Sequence, residues 1–129
     1  MELKFFYCPH CGKIIAIVKD APTQTICCGE PMKPLMPGTT EGAGEKHIPL
    51  VTTVENGKKE VTVTVGEILH PSLPEHYIQW IMLKTTTGLH LKNLKPGDKP
   101  EARFLLLPEE KVEAAYEYCN LHKLWKSGL

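Results

Sequence analysis

The sequence predicts a mostly-β chain in two unequal parts, a small N-terminal unit stapled by metal and a larger antiparallel β-sandwich. Three observations predict it. Four of the five cysteines fall within the first 37 residues. The Gly- and Thr-rich stretch "MPGTTEGAGEKH" comes next and reads as a linker or surface loop. From Ile48 onward, short apolar or alternating runs are separated by turn residues, with the period of strands. The expected division is 1–37 and 38–129.

In the first part, Lys4–Tyr7, Lys13–Val18 and Thr23–Ile26 are β-like runs between Cys, Gly and Pro residues. About 40 residues is the size below which an apolar core alone seldom suffices, and a metal or disulfide is usually required. The cysteines read C-x2-C-x15-C-C, with Cys8 and Cys11 in "CPHC" and Cys27 and Cys28 in "TICCGE". Four thiolates from two short segments can close a tetrahedron around one soft-liganded metal. The adjacent pair is unusual, because neighbouring side chains on an extended backbone point to opposite faces. The local backbone must twist for both sulfurs to reach one ion. All-thiolate sites of this kind hold zinc or iron alike, and two disulfides are the alternative reading of the same four residues.

In the second part, "IPLVTTV" and "EVTVTVG" flank "ENGKK", where Asn56-Gly57 is a strong hairpin signal. Val61, Val63 and Val65 alternate with Thr62 and Thr64, as in a half-buried strand. "HYIQWIMLKT", "GLHLKNL" and "EARFLLL" are further strands, the last two joined through "KPGDKP". "PEEKVEAAYEYC" opens like a helix, with Pro108 before two glutamates. Its alternation of Val112, Ala114, Tyr116 and Tyr118 with Glu113, Ala115 and Glu117 favours a strand. About seven short strands with turns between them suggest a sandwich of immunoglobulin-like type.

Charge and composition exclude several classes. Lys plus Arg and Asp plus Glu each total 15, so the formal net charge is zero. A general nucleic-acid or anionic-membrane binder needs a basic excess. No apolar run approaches the roughly 18 residues of a membrane span, and "MELKFFYCPHCGK" lacks the build of a signal peptide. The expected compartment is the cytoplasm, where clustered cysteines point to metal rather than disulfides.

A second constellation lies in the sandwich. His47 follows the Gly-rich stretch, His70 and His76 bracket "PSLPE", and "YCNLHKLW" sets Cys119 three residues before His122 in an expected loop after the last strand. Imidazoles at element boundaries are where functional groups sit on a rigid scaffold. With an intracellular cysteine in a C-x2-H pair, they point to a mononuclear metal site. His90, inside the alternating run "GLHLKNL", reads as an ordinary surface histidine, and His10 in the cysteine turn as exposed.

"CPHC", "CCGEPM", "EKHIP", "HPSLPEHYI" and "YCNLHKLW", in this order, resemble the desulfoferrodoxin family of two-iron superoxide reductases. The resemblance spans essentially the whole chain. It implies two Fe ions: one held by Cys8, Cys11, Cys27 and Cys28 in a desulforedoxin-like domain, and one held in the immunoglobulin-like domain. The second would take His47, His70, His76 and His122 in a plane, with Cys119 axial. It implies one-electron reduction of superoxide to hydrogen peroxide at the second iron. Glu45 would occupy the open position of ferric iron, and Lys46 would attract the anion and help organise protons. Electrons would come from rubredoxin or a similar donor, the four-cysteine iron acting as a relay, in a homodimer. One departure stands out: the glycine common after the last histidine ligand is Lys123 here. Rival readings are a non-enzymatic iron electron carrier, which leaves the boundary histidines unexplained, and a zinc-ribbon-like binding module, which the neutral charge disfavours.

Overall fold

The structure, a computed structural model, describes residues 3–38, 47–66 and 69–127. The chain divides into two compact units, Met1–Met36 and Pro37–Leu129. Among the described residues of the first, β1 (Phe5–Tyr7) lies between β2 (Ile14–Ala16) and β5 (Lys33–Pro34), all antiparallel. A separate hairpin joins β3 (Ile26–Cys27) to β4 (Glu30–Pro31). The first two expected runs hold shorter strands, whereas Thr23–Ile26 is strand only at its last residue, where β3 begins. No pattern marks β4 and β5, two-residue strands that each end in proline, a residue that demotes a run to an edge or a non-strand. Among the described residues of this unit, the buried apolar side chains are Phe5, Cys8, Met32 and Leu35.

The second unit is a sandwich. One sheet has the order β10-β7-β6, from β6 (Pro49–Glu55), β7 (Lys59–Val65) and β10 (Glu101–Leu106). The other has the order β12-β11-β8-β9, from β8 (Ile78–Thr85), β9 (Leu89–Asn93), β11 (Val112–Cys119) and β12 (Lys123–Lys126). Lettered in chain order as A, B, C, C′, E, F and G, the strands place A, B and E on one sheet and C′, C, F and G on the other. That is the immunoglobulin-like arrangement. "ENGKK" makes the expected hairpin, with Gly57 at a positive φ of 76° and Glu55 opposite Lys59. Val61, Val63 and Val65 are each 0% exposed and meet Ile78, Ile81, Leu83 and Ala115 of the opposing sheet in the core.

The ambiguous segment is strand β11, and it lies between β8 and β12. Both of its faces are buried, Ala114, Tyr116 and Tyr118 on one and Ala115, Glu117 and Cys119 on the other. Its alternation is therefore one of two covered faces rather than of inside and outside. One expectation is corrected. Cys119 and His122 do not lie after the last strand, because β12 follows them. With four residues, two of them lysines, β12 is too short to display a period. The start of β6, the end of β7, the start of β8 and the β11–β12 turn share one pole of the sandwich, as the pairings Pro49 with Val65 and Cys119 with both Ile78 and Lys123 require.

Candidate metal centres

The first group is built by two hairpin turns. Between β1 and β2, the Cys8 amide donates to Lys13 O at 2.9 Å, and Gly12 N returns to Cys8 O at 2.9 Å. This turn carries Cys8 and Cys11. Between β3 and β4, Cys27 closes its strand opposite Glu30, leaving Cys28 and Gly29 as a two-residue turn with φ of 52° and 79°. Positive φ at both turn positions is the geometry that matches strand twist in a two-residue hairpin. The left-handed step at Cys28 is the twist that the cysteine doublet demands: it turns the second sulfur to the side of the first. All four sulfurs fall within 4.8 Å of one another, with Cys11 Sγ 3.6 Å from Cys27 Sγ. All five cysteines of the chain are free thiols.

Crowding separates these thiols by acidity. Backbone amides of Cys11 and His10 donate to the Cys8 sulfur and lower it to about 6, while Cys27, pressed against Cys8 and Cys11, rises to about 12. Four sulfurs this close ionise together only around a cation, and an all-thiolate donor set fits a soft-liganded metal. His10 is exposed, as expected, and pairs with Glu30 at 3.0 Å.

The second group assembles at one pole of the sandwich. His47 stands two residues before β6, His70 and His76 lie in the β7–β8 connection, Cys119 ends β11, and His122 precedes β12. Their ligating atoms also fall within 4.8 Å of one another. The four rings form a closed cycle: His47–His70, His70–His76, His76–His122 and His122–His47 have centroids 4.7, 4.6, 5.1 and 4.6 Å apart, all steeply inclined. Across the cycle, His47 and His76 are 6.4 Å apart and nearly parallel. Cys119 Sγ approaches His70 Nε2 at 3.4 Å and His122 Nδ1 at 3.8 Å. His47, His70 and Cys119 are buried, His76 is half-buried, and His122 is exposed, so the cycle opens to solvent on one side.

Each ring is oriented by something behind it. His70 Nδ1 donates to Pro71 O at 2.7 Å, which leaves its Nε2 lone pair aimed at the cluster, 3.0 Å from His47 Nε2. Burial lowers the His70 pKa to about 4, so the ring is neutral at neutral pH and able to ligate. Burial pushes the Cys119 thiol up, against the backbone amides of His122 and Leu121 that favour its thiolate. A bound cation would decide that balance for the thiolate. Four imidazoles and one thiol, with no carboxylate among the five, suit a transition metal rather than calcium or magnesium.

Three neighbours were not legible as site residues. Trp125 stacks on His47 at 5.1 Å and donates its indole N–H to His122 O at 3.0 Å. A Cβ on Gly38 would lie 3.1 Å from that indole, so glycine is what lets the ring sit there. Glu117, two residues before Cys119 on the same face of β11, is 0% exposed. Its carboxyl oxygens have no hydrogen-bond partner among the described residues, and burial raises its pKa well above the usual carboxylate range. Asn120 is the third. The only sequence signal for any of them was closeness to "CNLH". Glu45 and Lys46 lie outside the described residues. His90 departs from its expected role: half-buried on β9, it meets Glu110 at 2.9 Å. Glu110 is buried and also accepts from Thr85 and Leu107 N, which with His90 hold it down to about 2.

A family model described as desulfoferrodoxin matches residues 39–128. The chain belongs to the desulfoferrodoxin family. It is 43% identical over 126 residues to the desulfoferrodoxin of Nitratidesulfovibrio vulgaris, covering 98% of this chain and 96% of that one. It is 35% identical over 101 residues to the superoxide reductase of Thermococcus kodakarensis, covering 65% of this chain and 85% of the relative. The crystal structure of the superoxide reductase from Treponema pallidum superposes with a TM-score of 0.78 at 39% identity, over 97% of this chain and 96% of that one.

Within the desulfoferrodoxin pattern, the departure at Lys123 now has a conformation. Lys123 adopts φ of 70°, the left-handed region that glycine enters freely. It closes the tight turn from Cys119, which it faces across the β11–β12 pairing. A non-glycine residue there costs about 1–2 kcal/mol, of which the greater freedom of glycine in the unfolded chain would offset roughly 0.4–1. Lys123→Gly is therefore expected to stabilise the sandwich by about 0.5–1 kcal/mol, raising its thermal midpoint by roughly 2–8 °C. A midpoint unchanged or lowered would mean that the turn carries no such strain.

Proposed function

We propose that the chain is a superoxide reductase, reducing superoxide by one electron and two protons to hydrogen peroxide. The observation that carries this reading is the closed cycle of four imidazoles over one buried thiol at a solvent-facing pole. Relatives and a structural neighbour named superoxide reductase support it. Iron is the metal of both groups in this reading, and ferrous iron in the second supplies the transferred electron. Cys8, Cys11, Cys27 and Cys28 hold the first iron. His47, His70, His76, His122 and Cys119 hold the second. The neutral imidazoles add no charge to the site, Cys119 contributes one negative charge, and the exposed His122 edge is where a small anion gains access. The chain works in the cytoplasm as a homodimer, with a four-cysteine domain over 1–37, a catalytic domain over 38–129, and electrons from rubredoxin or a similar donor.

In this reading Glu45 would be a further ligand available to the oxidised metal, and Lys46 would draw the substrate in. The protein's formal net charge is zero, so steering of an anion must come from local charge. A cation acts over roughly a Debye length, about 8 Å at physiological salt. Pulse radiolysis of the iron-loaded protein across a salt series tests both levels. The wild type is expected to react rapidly with superoxide and release one peroxide per superoxide consumed, and half that yield with matching oxygen evolution would sink the reductase reading. Lys46→Ala is expected to react more slowly, with a flatter salt dependence and unchanged iron spectra. Identical rates and salt slopes would remove Lys46 from its role and leave the ligand assignments standing.

A further inference from the structure

We propose that Asn120 is a positioning residue that fixes His76 relative to Cys119, and so sets the donor geometry of the second group. The inference rests on reading that group as a metal site. Asn120 directly follows Cys119, and its side-chain amide spans the backbone on both sides of His76. Oδ1 accepts from Tyr77 N at 2.9 Å, and Nδ2 donates to Glu75 O at 3.0 Å. The Asn120 amide itself donates to Tyr77 O at 3.2 Å.

Four backbone atoms define the two peptide planes that flank His76. The Glu75–His76 plane presents Glu75 O and His76 N, and the His76–Tyr77 plane presents His76 O and Tyr77 N. Leu73 takes two of them, with Leu73 N donating to His76 O at 2.9 Å and His76 N donating to Leu73 O at 3.0 Å. The Asn120 side chain takes the other two. Both planes are thereby held at both ends, which fixes the backbone angles of His76 and the direction of its ring. Only a carboxamide offers a donor and an acceptor at this separation from one short side chain.

The sheet register explains why a side chain is needed there. β11 pairs with β8 as Tyr118 with Trp80, then slips so that Cys119 faces Ile78. Such an irregularity re-aims a side chain at a sheet end and is common beside functional sites. One residue further, an ordinary antiparallel pair would have the Asn120 carbonyl accept from Tyr77 N. The Asn120 side-chain oxygen takes that bond instead, which releases the backbone to turn toward His122. One residue thus ends the strand, starts the turn that carries two donors, and ties that turn to the connection that carries two more.

The test uses the iron-loaded full-length protein and follows metal loss from the second group to a chelator, with the four-cysteine chromophore as internal reference. Partners behind a ligand typically change metal affinity about 10–100-fold. Asn120→Ala is expected to speed iron loss by about that factor, with an altered thiolate charge-transfer spectrum. The near-isosteric Asn120→Asp, which replaces the donor to Glu75 O with a second acceptor oxygen, is expected to speed it as well and serves if the alanine variant folds poorly. In a His76→Ala background, the effect of Asn120→Ala should shrink to within about twofold, since partners acting through one group are not additive. Iron lost at the wild-type rate by both Asn120 variants, or an equal cost with and without His76, would overturn the positioning role alone. A wild-type second group that holds no metal would sink the proposed function, and this inference with it.

Discussion

Cys119→Ser is expected to eliminate superoxide reduction and the thiolate charge-transfer absorption of the second group, leaving the sandwich folded. Cys119 is 0% exposed, belongs to the apolar core, and lies within 4 Å of two of the four imidazoles. Serine keeps the shape but offers a hydroxyl, a poor and barely ionised ligand for a transition metal. The sulfur's negative charge, which would tune a bound metal, disappears with it. Residues behind a ligand cost about 10–100-fold in affinity or activity when changed, and loss of the ligand itself should cost more than about a hundredfold. The fold should survive, since one buried hydroxyl costs about 1–3 kcal/mol and the rest of the core is unaltered. Reduction at a near-normal rate without the sulfur would mean that Cys119 is not the ligand this reading requires.

The sequence was most legible where one physical rule acted alone. The Val61, Val63 and Val65 alternation fixed a strand and its buried face, and Asn56-Gly57 fixed a turn. The cysteine doublet forced a backbone twist, and the left-handed φ of Cys28 is that twist. Both donor groups were readable because their side chains are chemically conspicuous and sit at element boundaries. What escaped depends on tertiary context. β12 is only four residues long and is stabilised by pairing with β11 rather than by any pattern of its own. Trp125, Glu117 and Asn120 acquire their roles through stacking, burial and a register slip, none of which leaves a spacing to read. His90 looked like a surface residue because its partner Glu110 is 20 positions away in sequence and meets it only across the folded edge.

Cys28→Ser is expected to empty the first group and unfold the first unit, with superoxide reduction by an artificial reductant largely retained. No described strand of that unit exceeds three residues, and its buried apolar side chains are Phe5, Cys8, Met32 and Leu35. So small a core cannot offset the cost of ordering the backbone, about 1–2 kcal/mol per residue. Metal binding must supply the difference, as in zinc fingers, where it contributes about 10–16 kcal/mol of folding free energy. Serine at position 28 removes one of four thiolates, and the left-handed turn that held it remains strained without the ion that justified the strain. Proteolysis should then cut within Met1–Met36 in the variant and spare it in the metal-loaded wild type. The second group draws every donor from the other unit, so its spectrum and its reaction with superoxide should persist. A first unit that resists protease without its metal would refute the stapling argument. An inactive variant that keeps its second metal would refute the separation of roles and make the four-cysteine centre part of turnover.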